Sequence, residues 1–222
     1  MENIDFFFVL RAWRSLADGL LVTLQLTVWA NVIGLVAGFL LALISSSRFK
    51  LLRIPARAYI DFFRCTPTLV QVIWFFFCVP MLFNVFWTPL FMGLLALGMN
   101  LSAFNAEAFR ASIQAIPQAQ LDASVALGLS PWTRIIFVVL PQATRHAVPV
   151  LITNAIGIFQ QSSLVALVGV ADLMYQGKLL STQTYRPIET MTFLACFYLA
   201  VAIPFSRLAA YLEHRSERFL GA

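Results

Sequence analysis

LLVTLQLTVWANVIGLVAGFLLALI, residues 20–44, runs from end to end without an acidic or basic side chain. A helix needs about 20 apolar residues to cross about 30 Å of hydrocarbon, so this stretch is long enough to span a bilayer. Working outward from it, further apolar segments cover about 58–83, 89–109, 148–170 and 191–212. Arg64, Thr66 and Pro67 interrupt the second segment, and Gln160, Gln161, Ser162 and Ser163 interrupt the fourth. The chain is 60% hydrophobic and 11% charged, whereas a soluble domain is about 25% charged. The expected fold is all-α: a polytopic membrane protein with about five transmembrane helices, forming a single transmembrane domain over residues 1–222.

Charge sets the expected orientation. Arg48, Lys50, Arg53 and Arg57 follow the first span with no acid among them, while Pro80 to Thr88, after the second, carry no charge. The connection between the third and fourth spans holds Arg110, Arg134, Arg145 and His146, and the C-terminus holds Arg215 and Arg218. Basic loops stay in the cytoplasm. An odd number of spans then puts the N-terminus outside and the C-terminus inside. The mixed-charge loop of Asp172, Lys178, Arg186 and Glu189 falls outside; Arg11 and Arg14 oppose the scheme weakly, offset by Glu2, Asp5 and Asp18.

Several classes are disfavoured. The net charge of +5 is explained by basic cytoplasmic loops, and no basic stripe interleaved with aromatics suggests nucleic acid. Cys65, Cys78 and Cys196 lie in apolar stretches without C-x-x-C spacing, which reads as small core residues rather than disulfides or a metal site. No H-E-x-x-H or G-x-S-x-G is present, and both histidines lie outside the spans, so a membrane-embedded enzyme with catalytic or metal-ligating residues has little support. The acidic N-terminus and the length of the first apolar run indicate no cleaved signal.

The segment from Ser112 to Pro141 is too polar to span and too well punctuated for a loose loop. Pro117 suits a first helical position, a short helix follows from Gln118 to Leu127, and Gly128 suits its C-terminal stop. Ser130 reads as an N-cap with Pro131 opening the next helix. A cytoplasmic helical hairpin over 112–141 is expected. Ala119, Ala123 and Ala126 fall on one face, where small side chains permit a close approach by a partner.

Asp122-Ala123-Ser124, Gly128 and Val138-Val139-Leu140-Pro141 resemble the E-A-A-x3-G-x9-I-x-L-P signature of ABC importer permeases. The spacing matches: three residues separate Ser124 from Gly128 and nine separate Gly128 from Val138. Asp, Ser and Val replace Glu, Ala and Ile. Gly19 to Leu24 with Gly34 and Gly38, Phe63-Arg64-Cys65-Thr66-Pro67 with Gln71, Glu107-Ala108-Phe109-Arg110 and Ser162-Ser163-Leu164 are similar to segments of the polar amino-acid uptake branch. The resemblance runs from about residue 19 to 212.

That resemblance implies the type I importer permease fold in a bacterial inner membrane. It implies a second permease subunit, identical or paralogous, two cytoplasmic ATPase subunits, and an extracytoplasmic solute-binding protein. ATP and magnesium would reside on the ATPase; no G-x-x-x-x-G-K-[ST] occurs here, since Gly177-Lys178 is followed by Leu179. Ala119, Asp122, Ala123, Ser124, Gly128, Leu140 and Pro141 would form the ATPase-coupling element.

Polar side chains at membrane depth are costly and mark pathways. Arg64, Thr66, Ser102, Asn105, Gln160, Gln161, Ser162 and Ser163 are the candidates for a substrate path, Arg64 being suited to a carboxylate. Snorkelling of Arg64 and interhelical hydrogen bonding by the amides and hydroxyls are the structural alternatives. Many relatives carry Lys-Asp where Gln160 and Gln161 stand, so the expected order of substrates is glutamate/aspartate, then glutamine/asparagine, then basic amino acids. A stand-alone channel or secondary carrier is the rival, but it leaves the hairpin without a role.

Overall fold

Residues 20–44 lie inside one helix, α1 (Trp13–Ser45), in the computed structural model, which describes residues 12–220 and side chains as far as His214. The acidic N-terminus, Arg11, Arg215 and Arg218 are outside what is described. Along α1 the buried residues recur every three or four positions, among them Leu26, Ala30, Gly34, Gly38 and Ala42. Beyond its first turns and Gln25, most of the rest of its surface is apolar and uncovered, with Val28, Trp29 and Val36 each more than half exposed. One stripe therefore packs on protein while the remainder suits lipid or a partner span.

The stripe of α1 packs on α4 (Pro89–Gln114), which begins with Thr88 as N-cap and Pro89 in the first turn. Glycines make the crossing close: a Cβ at Gly38 would stand 2.8 Å from Asn105 Cβ, and one at Gly34 would overlap Leu101. Small residues four apart on one helix permit such an approach. Leu26, Ala30, Leu97, Leu101, Ile158 and Val165 form the core at this crossing.

Between α1 and α4 the second apolar segment becomes two helices, α2 (Lys50–Cys65) and α3 (Thr68–Phe83), which meet at 108°. The expected span over 58–83 thus starts earlier and turns sharply. Pro67 is the cause: it forces the preceding residue out of the helical region, and Thr66 is extended at φ −106°, ψ 143°. Buried Gln71 closes the elbow, its Nε2 donating to Phe63 O at 2.9 Å and Thr66 Oγ1 at 2.6 Å. Its Oε1 accepts from Asn100 Nδ2 on α4 at 3.0 Å.

The hairpin consists of α5 (Gln118–Ala126) and the start of α6 (Pro131–Val168). Its second limb is not a short helix. From the Ser130 cap, whose Oγ accepts from Thr133 N, α6 runs on through the fourth apolar segment and carries Arg145 and His146 inside it. A π-turn at Ile135–Val139 immediately precedes Leu140-Pro141; proline lacks the N–H that a regular turn needs, and the bulge absorbs the mismatch. Near its end α6 tightens to a 3-10 turn over Ser162–Val168 without breaking.

The expected loop between the fourth and fifth spans is instead a helix, α7 (Leu173–Thr184), capped by Asp172. The last helix is α8 (Pro187–Leu220). Helices α1, α4, α6 and α8 are each long and apolar enough to cross a membrane, and the bent pair α2–α3 brings the number to five if it forms one broken span. No strand occurs among the described residues. Cys65 and Cys196 are exposed and only Cys78 is half-buried, which corrects their assignment to the core: their apolar surroundings lie on outward faces.

Candidate functional site

The polar run Gln160 to Ser163 sits where α6 changes from α to 3-10 geometry. Ser162 Oγ donates to Phe159 O and Ser163 Oγ to Gln160 O, at 2.8 and 2.7 Å, so both hydroxyls are held against the helix. Ser162 is fully buried, while Gln160 is exposed and Ser163 half-exposed. Gln160 and Ser163 line a cavity of about 300 Å³ with Ala195, Tyr198 and Leu199 of α8. This wall offers amide and hydroxyl hydrogen-bonding groups, and none of its lining residues carries a full charge.

Tyr198 joins that cavity to a buried polar nest. Its ring packs on Phe159 with centroids 5.2 Å apart, and its hydroxyl lies beside Thr23, Ser162 and Asp172. Asp172 is fully buried. Its Oδ1 accepts from Tyr175 N at 2.8 Å, while Oδ2, like Gln161 Oε1, has no hydrogen-bond partner. Thr23 Oγ1 accepts from Leu173 N at 3.1 Å, tying α1 to the head of α7. Burial pushes the Asp172 carboxyl up to about 6, against the pull of the backbone N–H groups around it. Asp172 reads in the sequence as an acid of a mixed-charge loop, and Tyr198, inside the fifth apolar segment, carries no sequence signal of its own.

Arg64 is placed elsewhere. Its Nη1 is 3.8 Å from Glu107 Oε1, and its guanidinium lies over the Phe104 ring at 5.8 Å. Glu107 also accepts from Arg110 Nε at 2.8 Å and from Arg110 Nη2. These groups line a second cleft of about 320 Å³ with Ser45, Arg57 and Asp61. The two cavities share no lining residue, so an arginine next to the amide-lined wall, as the sequence suggested, is corrected. The elbow at Thr66-Pro67 is the reason: it leaves Arg64 level with Glu107, towards the hairpin end of α4. Thr66 belongs to the elbow itself.

The third-span candidates are internal. Ser102 is fully buried and shares a 2.8 Å hydrogen bond with Tyr59 Oη, and Asn105 Oδ1 accepts from Asn154 Nδ2 at 3.0 Å, linking α4 to α6. In the hairpin, Ala119, Asp122, Ala123 and Ala126 are exposed. Ser124 is turned inward and buried, donating to Leu121 O at 2.6 Å. Gly128 closes α5 with φ +71°; its N–H reaches Val125 O at 2.9 Å and that of Leu129 reaches Ser124 O at 3.1 Å, the paired bonds of a left-handed helix stop. Leu140 and Pro141 are exposed beside the π-turn.

Known proteins share this fold and much of this sequence. Residues 34–218 match the family described as the inner membrane component of binding-protein-dependent transport systems. The glutamate/aspartate import permease protein GltK of Escherichia coli O6:H1 is 33% identical, over 97% of this chain and 100% of its own length. The probable amino-acid permease protein YxeN of Bacillus subtilis is 31% identical over 96% of each chain. A putative glutamine transport system permease protein, GlnP of Rickettsia felis, is 30% identical over 90% of this chain and 92% of its own. The solved structure of an amino acid ABC transporter with histidines superposes with a TM-score of 0.90 at 32% identity, over 96% of this chain and 99% of that one. The MetNI methionine ABC transporter shares the fold alone, at TM-score 0.71 and 19% identity. With its sequence and fold matched along nearly their whole length, the chain belongs to the family of inner membrane components of binding-protein-dependent transport systems, among the amino-acid ABC transporter permeases.

Proposed function

We propose that this permease carries acidic amino acids into the cytoplasm, with glutamine and asparagine as weaker substrates and basic amino acids excluded. The observation that argues against basic side chains is the cavity of Gln160, Ser163 and Tyr198, whose lining residues bear no full charge, and the likeness to GltK supports placing the acidic substrates first. A lysine or arginine side chain entering it loses its water without gaining a carboxylate, a cost that hydrogen bonds to amides do not offset. Carboxylates and amides find donors in the Gln160 amide and the Tyr198 hydroxyl, the Ser163 hydroxyl being already donated to Gln160 O. The likeness to GltK and to GlnP supports the same two substrate classes.

In this reading the N-terminus faces outward and the hairpin faces the cytoplasm. Two copies, or this chain and a paralogue, enclose the pathway, and a binding protein delivers the solute from outside. Two ATPase subunits hold ATP and magnesium and seat the exposed face of Ala119, Asp122, Ala123 and Ala126. ATP biases the inward- and outward-facing states only through its different affinity for each, and a rigidly stopped α5 transmits that difference to α6. Gln161, Ser162 and Ser163 belong to the pathway wall, while Ser102 and Asn105 hold α4 in place behind it. Uptake competition into vesicles containing the whole complex tests the substrate. Unlabelled glutamate is expected to displace labelled glutamate, and arginine in the same excess is not. Strong inhibition by arginine with none by glutamate contradicts the ranking.

A further inference from the structure

The second cleft, at the hairpin end of α1, α2 and α4, has a composition that the amide-lined cavity lacks: Arg57, Asp61, Arg64, Glu107, Arg110 and Ser45 face one space of about 320 Å³. Arg110 satisfies Glu107 through two hydrogen bonds. Arg64 adds only a long contact of 3.8 Å, with its side chain 37% exposed. Arg57 acts on Glu107 only at longer range, and neither it nor Asp61, one helical turn away on α2, makes a close ion pair among the described residues. Side chains four apart on a helix stand about 5–6 Å from each other at Cβ. A cation and an anion thus stand one turn apart on the wall of one cleft, both exposed to water, with the more loosely paired Arg64 guanidinium lining the same space.

This is the complement of an amino-acid zwitterion. Arg57 suits the α-carboxylate, Asp61 the α-ammonium, and Arg64 a second carboxylate on an acidic side chain, through the planar fork that favours such pairing. A phosphate or a simple carboxylate leaves Asp61 without a partner. The volume lies within the range of small-ligand sites. Together with the orientation and substrate class proposed above, on which this inference rests, we infer that the cleft is a second amino-acid site, open to the cytoplasm, at which accumulated product binds back. An occupant bridges α2 and α4 beside the start of the hairpin, favours one state of the transporter, and slows further import.

The test uses the whole complex in vesicles, with ATP sealed inside and binding protein outside. Millimolar glutamate sealed inside is expected to slow initial uptake roughly fivefold, the lower end of ordinary coupling between sites. Arg57→Gln and Asp61→Asn should each remove the slowing while uptake into glutamate-free vesicles persists, and Arg57→Lys should retain it. Internal inorganic phosphate should not substitute for glutamate. Unchanged uptake with internal glutamate, equal slowing of wild type and both variants, or equal slowing by phosphate overturns the site. A complex that imports no amino acid into glutamate-free vesicles contradicts the transport reading instead.

Discussion

Asp172 heads α7 fully buried, with one carboxylate oxygen on Tyr175 N and the other unpartnered. Its carboxyl titrates near 6 rather than the ordinary 3.8, so the folded chain holds this proton more tightly than the unfolded chain. The stabilisation is fully present below pH 3.8 and is lost as pH rises through about 6. Asn caps a helix as well as Asp does. Asp172→Asn is therefore expected to raise thermal stability of the detergent-solubilised protein at pH 7.5, by up to roughly 3 kcal/mol at 1.36 kcal/mol per pKa unit. The advantage should stay nearly constant from pH 7.5 to about 6 and shrink as pH is lowered from there towards 3.8. A variant less stable than wild type throughout that range would mean that the carboxylate serves a cation. At this scale the amide and serine run of α6 was legible, because four polar side chains interrupt an apolar segment. Asp172 was not, because an acid between two spans looks the same whether solvated or buried.

At the scale of elements, Gly128 decides whether α5 stops where it does. It has φ +71°, and a Cβ there would meet nothing within 4 Å, so only the backbone discriminates between substitutions. Left-handed backbone costs about 1–2 kcal/mol for an ordinary residue, while Asn visits it readily. Gly128→Asn is expected to keep near-normal coupling of ATP hydrolysis to uptake. Gly128→Val should reach the membrane but transport severalfold less per ATP hydrolysed. Equal coupling ratios for the two variants would remove α5 from the lever. The hairpin's turn chemistry was readable in Ser130, Pro131 and Gly128 because caps and stops are local. Its second limb was not, because a helix that continues for another span leaves no local mark. The 108° elbow between α2 and α3 was readable as an interruption at Pro67, but its angle depends on Gln71 and Asn100 meeting across two elements. Arg64 was assigned to the wrong cavity for that reason.

At the scale of the molecule, α1, α6 and α8 carry apolar surface suited to a bilayer, and the asymmetry of loop charge predicts which way the chain faces in it. Asn84 and Lys50 are both exposed and lie at opposite ends of the bent pair α2–α3. With Cys65, Cys78 and Cys196 replaced, a cysteine at position 84 should label from outside intact cells. One at position 50 should label only after permeabilisation, and the reverse pattern would invert the topology. The number of spans and their charge bias were open to reading because hydrocarbon imposes them on composition. The division of the interior into one uncharged cavity and one charged cleft was not, since it arises from which helices cross.

The central claim is that this permease works only as part of an ATP-driven importer, and vesicle uptake with ATP controlled on one side measures it directly. Complexes of the permease, its ATPase and its binding protein should accumulate labelled glutamate when ATP is sealed inside and binding protein is added outside. They should accumulate none when either is omitted or when ATP is replaced by a non-hydrolysable analogue. Uptake that persists without ATP, driven by a proton or sodium gradient or by simple equilibration, would contradict the account.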